Sequence, residues 1–161
     1  CTRSAWTTSR SREMSEGDRV FLDTNVVVYA NDRGDPWKQT VAMTRIGELF
    51  RHGTGVLSTQ VLMEYSAVAS RKLKQPREAI ARQTVLLEKM DVVTVTGALI
   101  RNGLELAEAE RLSFWDGVIL ATALAANCDT LLSEDFNDGQ RYAGILVRNP
   151  FESGDIEPAR P

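Results

Sequence analysis

Apolar residues recur along this chain in two rhythms. Short β-branched or aliphatic runs lie at residues 20–22, 55–58, 91–95, 130–133 and 145–148, each bounded by turn-forming or polar residues. Between them, apolar positions return every three or four residues: Val41, Ile46, Leu49 and Phe50 in one segment, Leu99, Leu104, Leu106 and Ala107 in another. The first rhythm predicts strands and the second amphipathic helices. Helix start signals agree, with Pro36 at a first-turn position, Ser58 or Thr59 as a cap, and a further start at Pro76. The spacing therefore predicts helices over 36–51, 59–73, 76–90, 97–110 and 113–126. Residues 26–29, V-V-V-Y, fit either strand or helix, and periodicity alone does not decide. Strands separated by helices argue for a parallel sheet covered on both faces, an α/β fold.

At 161 residues the chain suits one domain with a filled core. We expect that domain over 18–151, with 1–17 as a disordered or non-native N-terminal extension, translation starting naturally at Met14, and 152–161 as a flexible polar tail. No apolar run approaches the roughly 18 residues of a membrane span, so no membrane role is expected. The two cysteines, Cys1 and Cys128, form no disulfide framework, which fits a reducing, cytoplasmic setting. The formal net charge of −3, more negative still without Arg3, Arg10 and Arg12, argues against a nucleic-acid binder working by bulk charge. It does not argue against a site where acids are gathered to hold cations.

Four acids sit where such a site would form, because ligands of α/β sheets bind beyond the carboxyl ends of the strands. Asp23 follows the first strand, inside V-F-L-D-T-N-V-V-V-Y-A. Glu64 lies on the helix after the second strand, Asp116 in the first turn of the apolar helix, and Asp135 just past the strand ending at Ser133. Each has a plainer structural reading: Asp23 as a helix cap, Asp116 as half of a capping box with Ser113, Asp135 as a turn residue. Glu64 falls beside Val61 and Val68 on the edge of an apolar arc, where a lone carboxylate is costly unless paired or bound to a cation. Two carboxylates about 4 Å apart repel by roughly 4 kcal/mol at an effective dielectric of 20, so a cluster of four either takes up protons or binds a divalent ion. Oxygen ligands alone suit Mg²⁺ or Mn²⁺ better than zinc. His52, the single histidine, is read as a surface residue near a helix end.

L-D-T-N, S-T-Q-V-L-M-E-Y, S-F-W-D-G-V-I-L-A-T-A-L and L-L-S-E-D-F-N-D-G-Q, in that order, resemble the motifs of PIN-domain ribonucleases, and within them the VapC-type toxins of bacterial toxin-antitoxin pairs. The resemblance runs from about Arg19 to Phe151. It implies a three-layer α/β/α fold on a central parallel sheet, a Mg²⁺- or Mn²⁺-dependent endoribonuclease, a homodimer, and a cognate antitoxin as partner. The family's acidic set falls on Asp23, Glu64, Asp116 and Asp135, as catalytic and metal-binding residues, with Asn25 and Ser133 in supporting positions. The resemblance also makes the segment after Asp23 a short helix. Glu134 and Asp138 compete with Asp135 for the last position. Strand alternation turns Glu134 away and Asp138 is placed to close a turn with Gly139.

The densest basic cluster, Arg71, Lys72, Lys74 and Arg77, reads either as RNA contact or as a solvated helix end. Trp37 and Trp115 are candidates for stacking on bases, although core or interface packing is the stronger reading for Trp115. Aliphatic surface around 99–106 and 118–124 is core by default and dimer contact by resemblance. Two other functions would fit such a fold: a non-catalytic RNA-binding or regulatory module, and an aspartyl-phosphate phosphotransfer domain. The second calls for an aspartate where Asn25 stands and for a lysine after a later strand that the chain does not supply.

Overall fold

A computed structural model describes residues 17–152 of the chain; the expectations for the N-terminal extension up to residue 16 and for the tail beyond residue 152 lie outside the described residues. Strand β1 (Val20–Leu22) leads into helix α1 (Thr24–Ala30), then α2 (Pro36–His52), β2 (Gly55–Ser58), α3 (Thr59–Arg71), α4 (Arg77–Leu87) and β3 (Asp91–Val93). The chain continues through α5 (Gly97–Glu110), α6 (Phe114–Ala125), β4 (Thr130–Leu132), β5 (Arg141–Tyr142) and β6 (Ile145–Arg148). The open segment after Asp23 is thus a helix, and the predicted helix from Pro76 stops at Leu87 rather than Met90.

The six strands form one sheet in the order β3-β2-β1-β4-β6-β5. All pairings are parallel except that of β5 with β6. The sequence pattern missed β5, because a two-residue strand leaves no periodic trace; it is formed by a tight antiparallel turn through Ala143 and Gly144, both at positive φ. Alternation along β1 splits the core. Phe21 faces a cluster with Val61, Tyr65, Ile119 and Leu120 from α3 and α6. Val20 and Leu22 face Val41, Ala42, Ile46 and Leu49 from α2 on the other side. The result is helix, sheet, helix in three layers. Among the described residues no helix is long and apolar enough to cross a membrane.

The topology fixes where a ligand can enter. From β1 the chain steps to β2 and β3 on one side, then returns to place β4 on the other, so β1 and β4 flank the point where the winding reverses. Crevices at the carboxyl ends of strands open at that point. Asp23 follows β1 and Ser133 follows β4, with Leu22 in register with Leu132.

Helices α5 and α6, which carry Asp116 into this region, approach at backbone distance through two glycines. A Cβ on Gly103 would lie 2.6 Å from Val118 Cγ2 and 2.8 Å from its Cα, and one on Gly117 would collide with the Gly103 carbonyl and come within 2.8 Å of Ala107 Cβ. Helix propensity favours alanine over glycine by about 1 kcal/mol, but overpacking a tight contact costs roughly 1–3 kcal/mol. Gly117→Ala should therefore destabilise the protein in urea unfolding. Gly47→Ala, in α2 with nothing within 4 Å of the added methyl, should stabilise it by about 0.5–1 kcal/mol.

Candidate active site

Asp23 leaves β1 in extended conformation and caps α1: its Oδ1 accepts the Thr24 N–H at 2.6 Å. The capping role and a site role therefore coincide in one carboxylate. Its Oδ2 accepts from the Ser133 hydroxyl at 2.6 Å and from Asn25 Nδ2 at 3.2 Å. The Asn25 amide also reaches Asp135 Oδ2 at 3.0 Å and Ser133 Oγ at 3.1 Å. Ser133, fully buried, accepts the Asp135 N–H at 3.1 Å. Asn25 and Ser133 thus tie the acid after β1 to the acid after β4, across more than a hundred residues of sequence.

Two neutral donors hold Glu64 on α3. Thr24 Oγ1 donates to Oε2 at 2.7 Å, and Gln60 Nε2 donates to Oε1 at 2.9 Å while reaching the Trp115 carbonyl at 3.4 Å. Asp116 is oriented by the residue that caps its helix: the Ser113 hydroxyl donates to Oδ2 at 2.6 Å and accepts the Asp116 N–H at 3.2 Å. The capping box anticipated here is real in part, with the carboxylate engaging the serine hydroxyl itself.

Asp23, Glu64, Asp116 and Asp135 all line one cleft of about 660 Å³, together with Gln60, Ser113, Met63 and Trp115. Burial pushes the Asp23 carboxyl up to about 7, opposed by the Ser133 and Thr24 hydrogen bonds and reinforced by the charges of Asp135 and Asp116. Asp116 is raised as well, first by burial, against the Ser113 hydrogen bond, with Asp135 and Glu64 adding to the rise. Among the described residues none of these four acids has a lysine or arginine within ion-pair distance. Their donors are serine, threonine, asparagine and glutamine, which orient a carboxylate without cancelling its charge.

Among the described residues no three acids are drawn together as a preassembled metal group. The donor set nevertheless fits a hard divalent cation. It is oxygen only, it is uncompensated, and Mg²⁺ is commonly held through one or two carboxylates and several waters rather than by a complete protein cage.

The competing acids are engaged elsewhere. Glu134 turns from the cleft to Lys38, whose Nζ lies 2.6 Å from Oε2 and 3.0 Å from the Tyr29 hydroxyl. Asp138 accepts the Asn149 N–H at 2.8 Å and holds the turn before β5. Trp115 does not pack in the core: it is 61% exposed, because it occupies the outer side of the first turn of α6. Thr24 and Gln60 were not singled out from the sequence. Their signal was faint, a threonine next to Asp23 and a glutamine one turn before Glu64.

The model of the PIN domain family matches residues 20–143. No curated protein matches the chain in sequence. Among solved structures, VapBC2 from Rickettsia felis, bound to a DNA fragment from its promoter, superposes with a TM-score of 0.58 at 20% identity, covering 81% of this chain and 97% of that one. Mycobacterium tuberculosis VapC20, a sarcin-ricin loop cleaving toxin, gives 0.56 at 18% identity over 70% and 86%. FitAcB from Neisseria gonorrhoeae gives 0.54 at 16% identity over 83% and 99%. These likenesses establish a shared fold. With the family match spanning most of the described residues, the chain belongs to the PIN domain family.

Proposed function

We propose that the chain is a Mg²⁺- or Mn²⁺-dependent endoribonuclease that hydrolyses RNA phosphodiesters and serves as the toxin of a toxin-antitoxin pair. The observation that carries this reading is the gathering of four acids from β1, α3, α6 and the loop after β4 along one cleft, with only neutral donors to orient them. Asp23 and Asp116 are the principal ligands in this reading, and Glu64 and Asp135 complete the set. A divalent ion there supplies Lewis-acid stabilisation of charge on the phosphate and a more acidic water. The protein's own part is positional. Ser133 and Asn25 hold Asp23 and Asp135 at a set separation, Thr24 and Gln60 fix both oxygens of Glu64, and Ser113 fixes Asp116. Several neighbours of the same fold were crystallised as toxin-antitoxin complexes, which supports an antitoxin as partner, and a homodimer fits the exposed Ile100 and Leu104 of α5.

Substrate phosphates need cations away from the acids. Arg71 and Lys72 end α3 and Lys74 and Arg77 lead into α4, all four exposed. Arg71 lies seven residues beyond Glu64, roughly 10 Å along the helix axis, within reach of the next phosphates of a strand bound in the cleft.

Asp23→Asn and Asp116→Asn should each lower RNA cleavage roughly 100-fold or more, without loss of the cooperative unfolding transition. EDTA should stop the wild type, and Mg²⁺ or Mn²⁺ should restore it. Folded variants with undiminished EDTA-sensitive activity would remove these acids from the mechanism. Neutralising Arg71, Lys72 and Lys74 together should weaken RNA binding and flatten its salt dependence, leaving the cleavage site unchanged.

Stability without metal tests the electrostatics separately. The Asp23 carboxyl rises from an ordinary 3.8 to about 7 on folding. Below pH 3.8 it is protonated in both states and contributes nothing. As pH rises from there to 7 the folded state holds the extra proton, so stability falls, and above 7 the full penalty, on the order of 4 kcal/mol, applies. In EDTA, Asp23→Asn should be more stable than the wild type at pH 8, with the gap closing toward pH 4. Mg²⁺ at pH 8 should raise the melting temperature of the wild type more than that of the variant.

A further inference from the structure

One lysine at the carboxyl edge of the sheet is tied to the site without entering it. Lys38, in the first turn of α2, donates to Glu134 Oε2 at 2.6 Å and to the Tyr29 hydroxyl at 3.0 Å. Its ammonium also lies 4.2 Å from the ring centre of Tyr29 and 5.0 Å from that of Phe151. These partners come from the end of α1, the loop after β4 and the segment after β6, and the two rings meet edge to face at 5.0 Å. The chain alternates sides as it leaves β4. Leu131 packs with α3 and α6 and Leu132 with α2; Glu134 then points to Lys38 on α2, and Asp135 into the cleft that α3 and α6 line. Pinning the Glu134 carboxylate on one side therefore sets the turn of backbone that sends Asp135 to the other. The Glu134 N–H meets Asn25 Oδ1 at 3.4 Å, which leaves Asn25 Nδ2 facing Asp23, Ser133 and Asp135.

We infer that Lys38 and Glu134 are a positioning pair for the cation site, holding Asp135 and the Asn25 amide in the arrangement that an ion in the cleft uses. The inference rests on the metal-dependent reading of the cleft and adds two residues that touch neither ion nor substrate. Stability alone does not call for such a pair. Its side chains are 24% and 23% exposed, so desolvation offsets much of the Coulomb gain, and apolar residues of similar volume would fill the same space as well. What the pair supplies and an apolar contact does not is direction: one ammonium, fixed by a phenol and two rings, accepts the carboxylate in one place. Groups of this kind behind a ligand orient it and set the affinity of the site.

The test compares the full chain with its Lys38→Met/Glu134→Gln double variant. The two changes remove one charge of each sign, so the net charge near an ion in the cleft is unaltered and no unpaired buried charge is left behind. Calorimetric titration with Mn²⁺ alone should give an affinity about tenfold weaker than that of the wild type, with a cooperative urea transition retained. In the metal-free protein the side-chain amide protons of Asn25 should exchange faster with solvent. A pair that only stabilises the fold would move neither reading in the folded protein, and an affinity within about twofold of the wild type overturns the inference. In an Asp135→Asn background the loss from the double change should shrink to about twofold, and a full further tenfold loss, which would place its action away from Asp135, also overturns it. Should the double variant not unfold cooperatively, Lys38→Met alone carries the test. Loss of a positive charge by itself tightens cation binding, so weaker binding marks lost position and tighter binding overturns the inference. Absence of Mn²⁺ uptake by the wild type would overturn the metal-dependent reading and the pair with it, whereas equal uptake by wild type and double variant overturns the pair alone.

Discussion

The pairing of β1 with β4 at the reversal of the sheet's winding is the constraint on which the site depends. It brings the carboxyl ends of two strands, more than a hundred residues apart, side by side, so that the Ser133 hydroxyl reaches Asp23 at 2.6 Å and the Asn25 amide spans Asp23 and Asp135. Everything else adjusts to that edge. Helix α1 starts there because Asp23 caps it, and its first residue, Thr24, carries the hydroxyl that holds Glu64. Helix α6 arrives because Gly103 and Gly117 let α5 and α6 touch backbone to backbone, which sets Asp116 one residue from the crossing point.

The elements that follow from periodicity were legible: every helix longer than seven residues and every parallel strand lies where the hydrophobic rhythm places it, with ends shifted by a few residues. The acids were legible as candidates because each follows a strand or sits early on a helix. What the sequence could not carry was the network between them. Nothing in the spacing says that Thr24 bridges to α3 or that Gln60 joins Glu64 to the Trp115 carbonyl, since these depend on how helices lie on the sheet. The core alternative for Trp115 fails for a related reason. An apolar helix such as α6 is buried on nearly all sides in its middle, and the rule that buries Val118 through Ala123 fails at a first turn projecting past the edge of the core.

The plain structural readings of the acids were not rivals of the functional one. Asp23 does cap a helix and Asp116 does pair with its capping serine. The same bonds fix the carboxylates in space, and in each case one of the orienting groups is a backbone N–H or a hydroxyl rather than a cation. A fold that places acids at helix starts can therefore present them with defined geometry while leaving their charge available.

The treatment of the fifth acid makes that distinction sharp. Glu134 is the immediate neighbour of Asp135, and its N–H reaches Asn25 Oδ1 at 3.4 Å, so its backbone belongs to the same network. Its carboxylate, however, is bound to Lys38, whose ammonium also lies 4.2 Å from the centre of the Tyr29 ring and 5.0 Å from that of Phe151. A partly buried lysine held by a carboxylate, a phenol and two aromatic faces is a strong local neutraliser. Among the described residues the protein thus supplies its own cation to one acid at this edge and none to the four that line the cleft. If those four served only to cap helices and close turns, a lysine or arginine beside any of them would relieve the repulsion that adds to the effect of burial in raising Asp23 and Asp116; its consistent absence from the described part of the cleft is what an external cation would require.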